Sequence, residues 1–148
     1  MGAAALAALV LVAIASTLSM APTGPVAADA PADVFSAARA MTHIETIAED
    51  PRPIGSAEHA EARAYLLQEL ASLGWRTEVP ASVGRFDVGN HGTQNMAAVA
   101  NVVATKPGSQ ATGTVLLSAH YDTVAGSPGA ADDGIGVLLV EQHVHKAI

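Results

Sequence analysis

The segment Val115-Leu116-Leu117-Ser118-Ala119-His120-Tyr121-Asp122, followed by Pro128-Gly129-Ala130-Ala131-Asp132-Asp133-Gly134-Ile135-Gly136, restricts the fold more than any other part of this chain. A short unbroken apolar run bounded by turn residues suits a strand buried on both faces. His120 falls at the carboxyl end of that run, where open α/β sheets bind their ligands. Gly126, Pro128 and Gly129 supply the sharp turns of the loop that follows. From Asp133 onward Val137, Leu138, Val140 and Glu141 resume a helical spacing. A strand, a ligand-bearing loop and a glycine-lined helix start together point to an α/β protein.

The remaining elements agree with that class. Val34, Ala38, Met41, Ile44 and Ala48 recur at three- and four-residue steps and predict a helix over 32–50. Pro31 suits its first turn, Asp29 is a candidate cap, and Pro51 and Pro53 end it. After the tight loop Arg52-Pro53-Ile54-Gly55-Ser56, Ser56 is placed to cap a second helix over 57–73. The inward face of that helix is expected to be Ala60, Ala64, Leu67, Leu70 and Ala71, with Gly74 as its stop. Strands are expected over 75–79, 94–105 and 113–119, with loop over 80–92 and a turn at 106–109. The connection between residues 105 and 113 is too short for a parallel crossover, so those strands are expected to be antiparallel. The order helix, helix, strand, strand, strand, helix describes the opening part of a mixed-sheet α/β/α fold.

The N-terminus is of another character. The chain has 148 residues, yet no charge appears before Asp29 and no Lys or Arg before Arg39. Residues 3–18 are apolar apart from Ser16 and Thr17. A helix with no polar face suits a membrane or a signal peptide better than a solvated surface. Residues 1–21 are therefore expected to be a signal peptide or transmembrane anchor, 22–31 a linker, and 32–148 the folded domain. Ala28-Asp29-Ala30 resembles a small-x-small cleavage site, but it lies far from the apolar run. The protein is expected to be anchored to a membrane, or to be secreted if the leader is cleaved.

Composition narrows the chemistry. With 14 acidic and 7 basic residues the net charge is −7, which argues against a nucleic-acid partner. There are no cysteines, so a metal here must rest on His and carboxylate. His120 is the candidate imidazole ligand and Asp132 the candidate carboxylate ligand. Asp122 is placed to take the other ring N–H of His120 and so set its tautomer. Taken alone, His120 also suits a core histidine, and Asp132-Asp133 also suits a helix cap. Their combination, twelve positions apart across a Gly/Pro loop, favours the metal site.

The combined pattern resembles the M28 family of zinc peptidases, the co-catalytic aminopeptidases. The resemblance implies that His120 is a zinc ligand, that Asp122 orients it, and that Asp132 bridges two zinc ions. It also implies a cis peptide at Asp132–Asp133. It extends over Arg52-Pro53-Ile54-Gly55-Ser56-Ala57-Glu58-His59, Tyr65-Leu66, Leu73-Gly74-Trp75, Asn95-Met96 and Asn101-Val102-Val103-Ala104. An apolar segment ahead of such a domain is similar to the membrane-anchored branch of the family.

The family also uses a Glu-Glu pair, a further Asp and a further His, none of which is placed in this sequence. Glu141 stands too early, and His143 and His145 read as solvated tail. The chain is thus expected to be a fragment ending before the catalytic Glu, with peptide as the substrate of the whole protein. Other readings are an M20-type metallohydrolase, which the spacing disfavours, a glutaminyl-cyclase-like relative, or a catalytically inactive membrane-anchored module. A truncated product without a settled fold is a further alternative.

Overall fold

A computed structural model describes residues 2–22, 24–31, 33–88, 93–108 and 112–137. The architecture is mixed helix and strand behind an N-terminal apolar helix. Helix α1, Gly2–Ser19, is exposed along its whole length. Its 18 residues span about 27 Å at 1.5 Å per residue, close to the thickness of a bilayer's hydrocarbon core. By length and composition it suffices to cross a membrane.

Helix α2 runs over Ala37–Ile47, starting later than the predicted 32–50. The expected cap, Asp29, is not the cap that forms. Ser36 has extended dihedrals, and its Oγ accepts from the N–H of Arg39 at 3.2 Å. The same hydroxyl donates to the carbonyl of Ala27 at 2.8 Å, which ties the linker to the helix start. Arg39 reinforces the tie, with Nη1 donating to the carbonyls of Ala28 and Ala30 at 2.9 Å each. The buried stripe of α2 is Ala40, Ile44 and Ile47, while the expected Val34 and Met41 stay exposed.

Helix α3, Ala57–Ser72, matches the predicted span, and Ser56 caps it by accepting from the N–H of His59 at 3.1 Å. Gly74 ends it with φ of 78°, a conformation that a side chain disfavours. Its inward face differs from the expected one. His59, Ala62 and Leu66 are buried, whereas Ala60, Ala64 and Ala71 are exposed. Apolar residues occur on both sides of α3, so periodicity alone could not choose the side.

The strands also differ from expectation. Strand β1, Arg76–Glu78, pairs antiparallel with β4, Val103–Thr105, in the register Arg76↔Thr105. The expected loop over 80–92 contains strand β2, Ala81–Val88, which forms an antiparallel ladder with β3, Thr93–Ala100. The expected single strand over 94–105 is therefore two strands, β3 and β4, each with a different partner. Gly84, which falls in the expected loop, is tolerated inside β2. At Gly84 the space of a Cβ is taken by Val99 Cγ2, 2.9 Å away, on the facing strand.

Residues 113–119 do not join a sheet among the described residues. Val115 and Leu116 are 85% and 88% exposed, the reverse of the buried central strand that their composition suggests. A central strand needs partners on both edges and a layer on each face. Within the described residues, the four strands pair with one another and leave this segment uncovered.

The core that positions the site is small and local. Ile47 of α2, Leu66 of α3 and Val137 form one buried cluster, and Tyr65, Ala119 and Tyr121 pack against it. Ala40, Ile44 and Ala48 form another. Ala119 and Tyr121 are drawn inward on either side of His120, which leaves its side chain facing outward. The helical spacing after Asp133 is followed as far as Val137. Leu138, Val140, Glu141, His143 and His145 lie outside the described residues.

Candidate metal centre

His120 and Asp132 meet. Nε2 of His120 lies 3.1 Å from Oδ1 of Asp132. Nδ1 lies 3.0 Å from the backbone carbonyl of Asp122 and 3.5 Å from its carboxylate oxygen. The imidazole is thus flanked by both of the carboxylate residues singled out from the sequence. The nearest orienting atom of Asp122 is its carbonyl oxygen, a group that commonly receives the outer N–H of a metal-binding histidine.

This arrangement has a chemical consequence. If Nδ1–H donates to the Asp122 carbonyl in the neutral ring, Nε2 presents a lone pair to a carboxylate oxygen. Two acceptors at 3.1 Å are reconciled only by a cation between them, either a proton or a metal. Burial lowers the pKa of His120. It is outweighed by hydrogen bonds to the Asp122 carbonyl and the Asp132 carboxylate and by both negative charges, so the pKa lies above its usual value. The site therefore attracts positive charge, and its nitrogen and oxygen donors fit zinc. It is also open, because Asp132 is 93% exposed. Among the described residues, no group of three or more such side chains converges on one point.

The turn that presents Asp132 is unusual. Ala130–Gly134 is wide, with the N–H of Ile135 reaching back to the carbonyl of Ala130. Asp132 and Asp133 have non-helical dihedrals inside it. The peptide joining them is cis, as the family resemblance implied. Asp133 serves the backbone, whereas Asp132 meets the imidazole ring. Its carboxylate accepts from the N–H of His120 at 3.3 Å and from the N–H of Gly136 at 3.2 Å. A Cβ at residue 136 would overlap that carboxylate, so the glycine leaves room for this latch.

Three residues were not singled out for the site from the sequence. Arg52 is 1% exposed and donates from its side chain to the carbonyls of Tyr121, Pro128 and Gly129. Thr123 is buried and exchanges hydrogen bonds with the Arg52 backbone. His59 is buried and stacks on the Tyr121 ring with centroids 4.6 Å apart and planes 2° from parallel. The Tyr121 hydroxyl in turn donates to the carbonyl of Ala100. The signal for Arg52 was present as a charge between two prolines, but only the fold shows it to be inside.

His59 carries a pH signature. Burial first, then the charge of Arg63, holds its pKa below the ordinary 6.5; Arg52 adds to this and Asp122 opposes it. The unfolded chain protonates at the ordinary value and the folded chain only at lower pH. The stability contributed by neutral His59 is fully present above 6.5 and lost as pH falls through the folded value. His120 has the opposite sign, and its contribution is lost as pH rises through its raised value. Melting temperature followed from about pH 7.5 down to about pH 5 is expected to fall less steeply in His59→Phe than in the wild type.

Residues 101–145 match the sequence profile of peptidase family M28. A vacuolar membrane protease of Coprinopsis cinerea is 30% identical over 118 residues, covering 70% of this chain and 12% of that protein. Endoplasmic reticulum metallopeptidase 1 of Rattus norvegicus is 32% identical over 119 residues, covering 72% of this chain and 13% of the relative. A vacuolar membrane protease of Schizosaccharomyces pombe is 29% identical over 110 residues. The chain belongs to peptidase family M28. It spans about an eighth of the length of these relatives.

Proposed function

We propose that this chain supplies the first part of the active site of a zinc-dependent, membrane-attached peptidase of the aminopeptidase type. The observation that carries the reading is the approach of His120 Nε2 to Asp132 Oδ1, a nitrogen and an oxygen 3.1 Å apart that are close enough to share one metal ion. In this reading residues 32–148 are a portion of an M28 peptidase domain, 22–31 a linker, and 1–21 the anchor or a cleaved leader. Helix α1 supports attachment, because its apolar side chains have no protein to cover them. The domain faces away from the cytoplasm.

Each residue has a stated task. His120 and Asp132 would hold zinc through an imidazole nitrogen and a carboxylate oxygen. Asp122 receives the Nδ1–H and so leaves Nε2 free as a ligand. Asp133 holds the His120 backbone in place. Bound zinc supplies a Lewis acid for the scissile carbonyl and acidifies a water molecule. The general base is a residue other than these four. Catalytic zinc sites use about three protein ligands per ion, so His120 and Asp132 alone make a weak site.

Two measurements test the reading. The intact protein is expected to contain zinc and to hydrolyse an aminoacyl chromogenic substrate in a chelator-sensitive manner. The isolated 148-residue chain is expected to show no turnover above background. Hydrolysis by the intact protein that survives complete removal of metal would contradict the proposal, and so would substantial turnover by the isolated chain.

A further inference from the structure

We infer that Arg52 is a positioning residue whose guanidinium fork sets the separation of His120 and Asp132, so that the affinity of the pair for a divalent metal depends on it. The inference rests on the proposed metal site and adds a residue outside the set of ligands. Nε of Arg52 donates to the carbonyl of Tyr121 at 2.6 Å, and that carbonyl lies in the chain between His120 and Asp122. Nη1 donates to the carbonyl of Pro128, and Nη2 reaches that of Gly129 at 3.4 Å. These last two carbonyls stand just ahead of the turn that carries Asp132. One rigid group therefore grips both arms of the loop joining the two ligands.

The backbone of the same residue completes the clamp. The Arg52 N–H donates to Thr123 Oγ1 at 2.8 Å, and the Thr123 N–H donates to the Arg52 carbonyl at 3.2 Å. The Gly129 carbonyl also accepts from the N–H of Gly134 at 3.1 Å, beyond Asp132. The connection thus passes from residue 121 through Arg52 to residues 129 and 134, so the backbone is tied on both sides of the loop that joins the two ligands. A guanidinium offers donors in a planar fork at fixed angles, whereas an ammonium is a point charge on a flexible stem. Lysine at this position would keep the charge yet could not hold three carbonyls at set spacings. His120 and Asp132 are exposed side chains with little packing of their own, so their spacing depends on the backbone beneath them.

The test is cobalt(II) titration of the metal-free, full-length protein, read by its visible absorption, with Arg52→Lys and His120→Ala beside the wild type. Arg52→Lys is expected to remain folded by circular dichroism, to bind cobalt about 10- to 100-fold more weakly, and to show a changed spectrum. Wild-type affinity and spectrum in folded Arg52→Lys, with binding lost in His120→Ala, would overturn the role of Arg52 and leave the metal site standing. Unchanged binding in His120→Ala would overturn the metal site itself, and the inference with it. If Arg52→Lys does not fold, Thr123→Val decides, since it removes only the hydroxyl that accepts from the Arg52 N–H. Weakened cobalt binding by folded Thr123→Val supports the clamp, and unchanged binding overturns it. Failure of both variants to fold also overturns it, because the contacts then serve the fold rather than the site.

Discussion

His120→Ala in the full-length protein is expected to abolish peptidase activity, by on the order of a thousandfold or more, while leaving the fold intact. The two halves of this expectation have different causes. The imidazole is half exposed, and its neighbours Ala119 and Tyr121 make the contacts with the core. Truncating an exposed side chain changes stability by roughly 0.5 kcal/mol or less. The chemistry responds differently, because Nε2 is the only nitrogen donor that meets Asp132 among the described residues. Without it Asp132 loses its nitrogen partner, and a catalytic zinc site short of one of its few protein ligands holds the ion poorly. Metal content by elemental analysis, activity and thermal melting of the metal-free protein separate these effects. An alanine variant that keeps both zinc and activity would remove His120 from the site.

Gly129→Ala is expected to destabilise the protein by about 3 kcal/mol, which lowers Tm by roughly 10 °C for a chain of this size. Two independent penalties combine. Gly129 has φ of 62°, in the left-handed region that side chains disfavour. A Cβ there would also overlap Thr123 Cγ2 and stand 2.5 Å from the carbonyl oxygen of Asp132. Relief of that crowding must move Thr123, Asp132 or both, so metal affinity is expected to fall together with stability. Gly126 in the same loop is the control. It has open space where a Cβ would stand and no positive φ, so Gly126→Ala is expected to stay within about 0.5 kcal/mol of the wild type. Calorimetric melting of the two variants that showed equal effects would remove the special role of residue 129.

The contrast between the two glycines shows where sequence reading reaches its limit. Both belong to one loop and either suits a turn by composition. Only the folded loop, with positive φ at position 129 and Thr123 and Asp132 packed against it, makes one of them irreplaceable. The same limit applied to α3. Its cap at Ser56 and its stop at Gly74 were legible, because each depends on a residue's own backbone and nearest neighbours. Its buried face was not, because apolar residues lie on both sides and the choice depends on what α2 and the 119–121 segment bring to it. Strand pairing behaved likewise. Residues 81–88 were expected to be loop yet form a ladder with β3, and 113–119 read as a central strand from their aliphatic run yet join no sheet among the described residues. Pairing energy comes from cross-strand neighbours rather than from the strand itself.

The sequence by itself determined the apolar N-terminal helix, the termini of α3 and the spacing of His120, Asp122 and Asp132, because each follows from local chemistry or adjacent order along the chain. Tertiary structure alone decided that Arg52 lies inside, that His59 stacks on Tyr121, and that Asp133 turns back to the His120 backbone. Those placements join residues up to 77 positions apart. Their energies exist only once the chain has closed on itself and excluded water from the contacts.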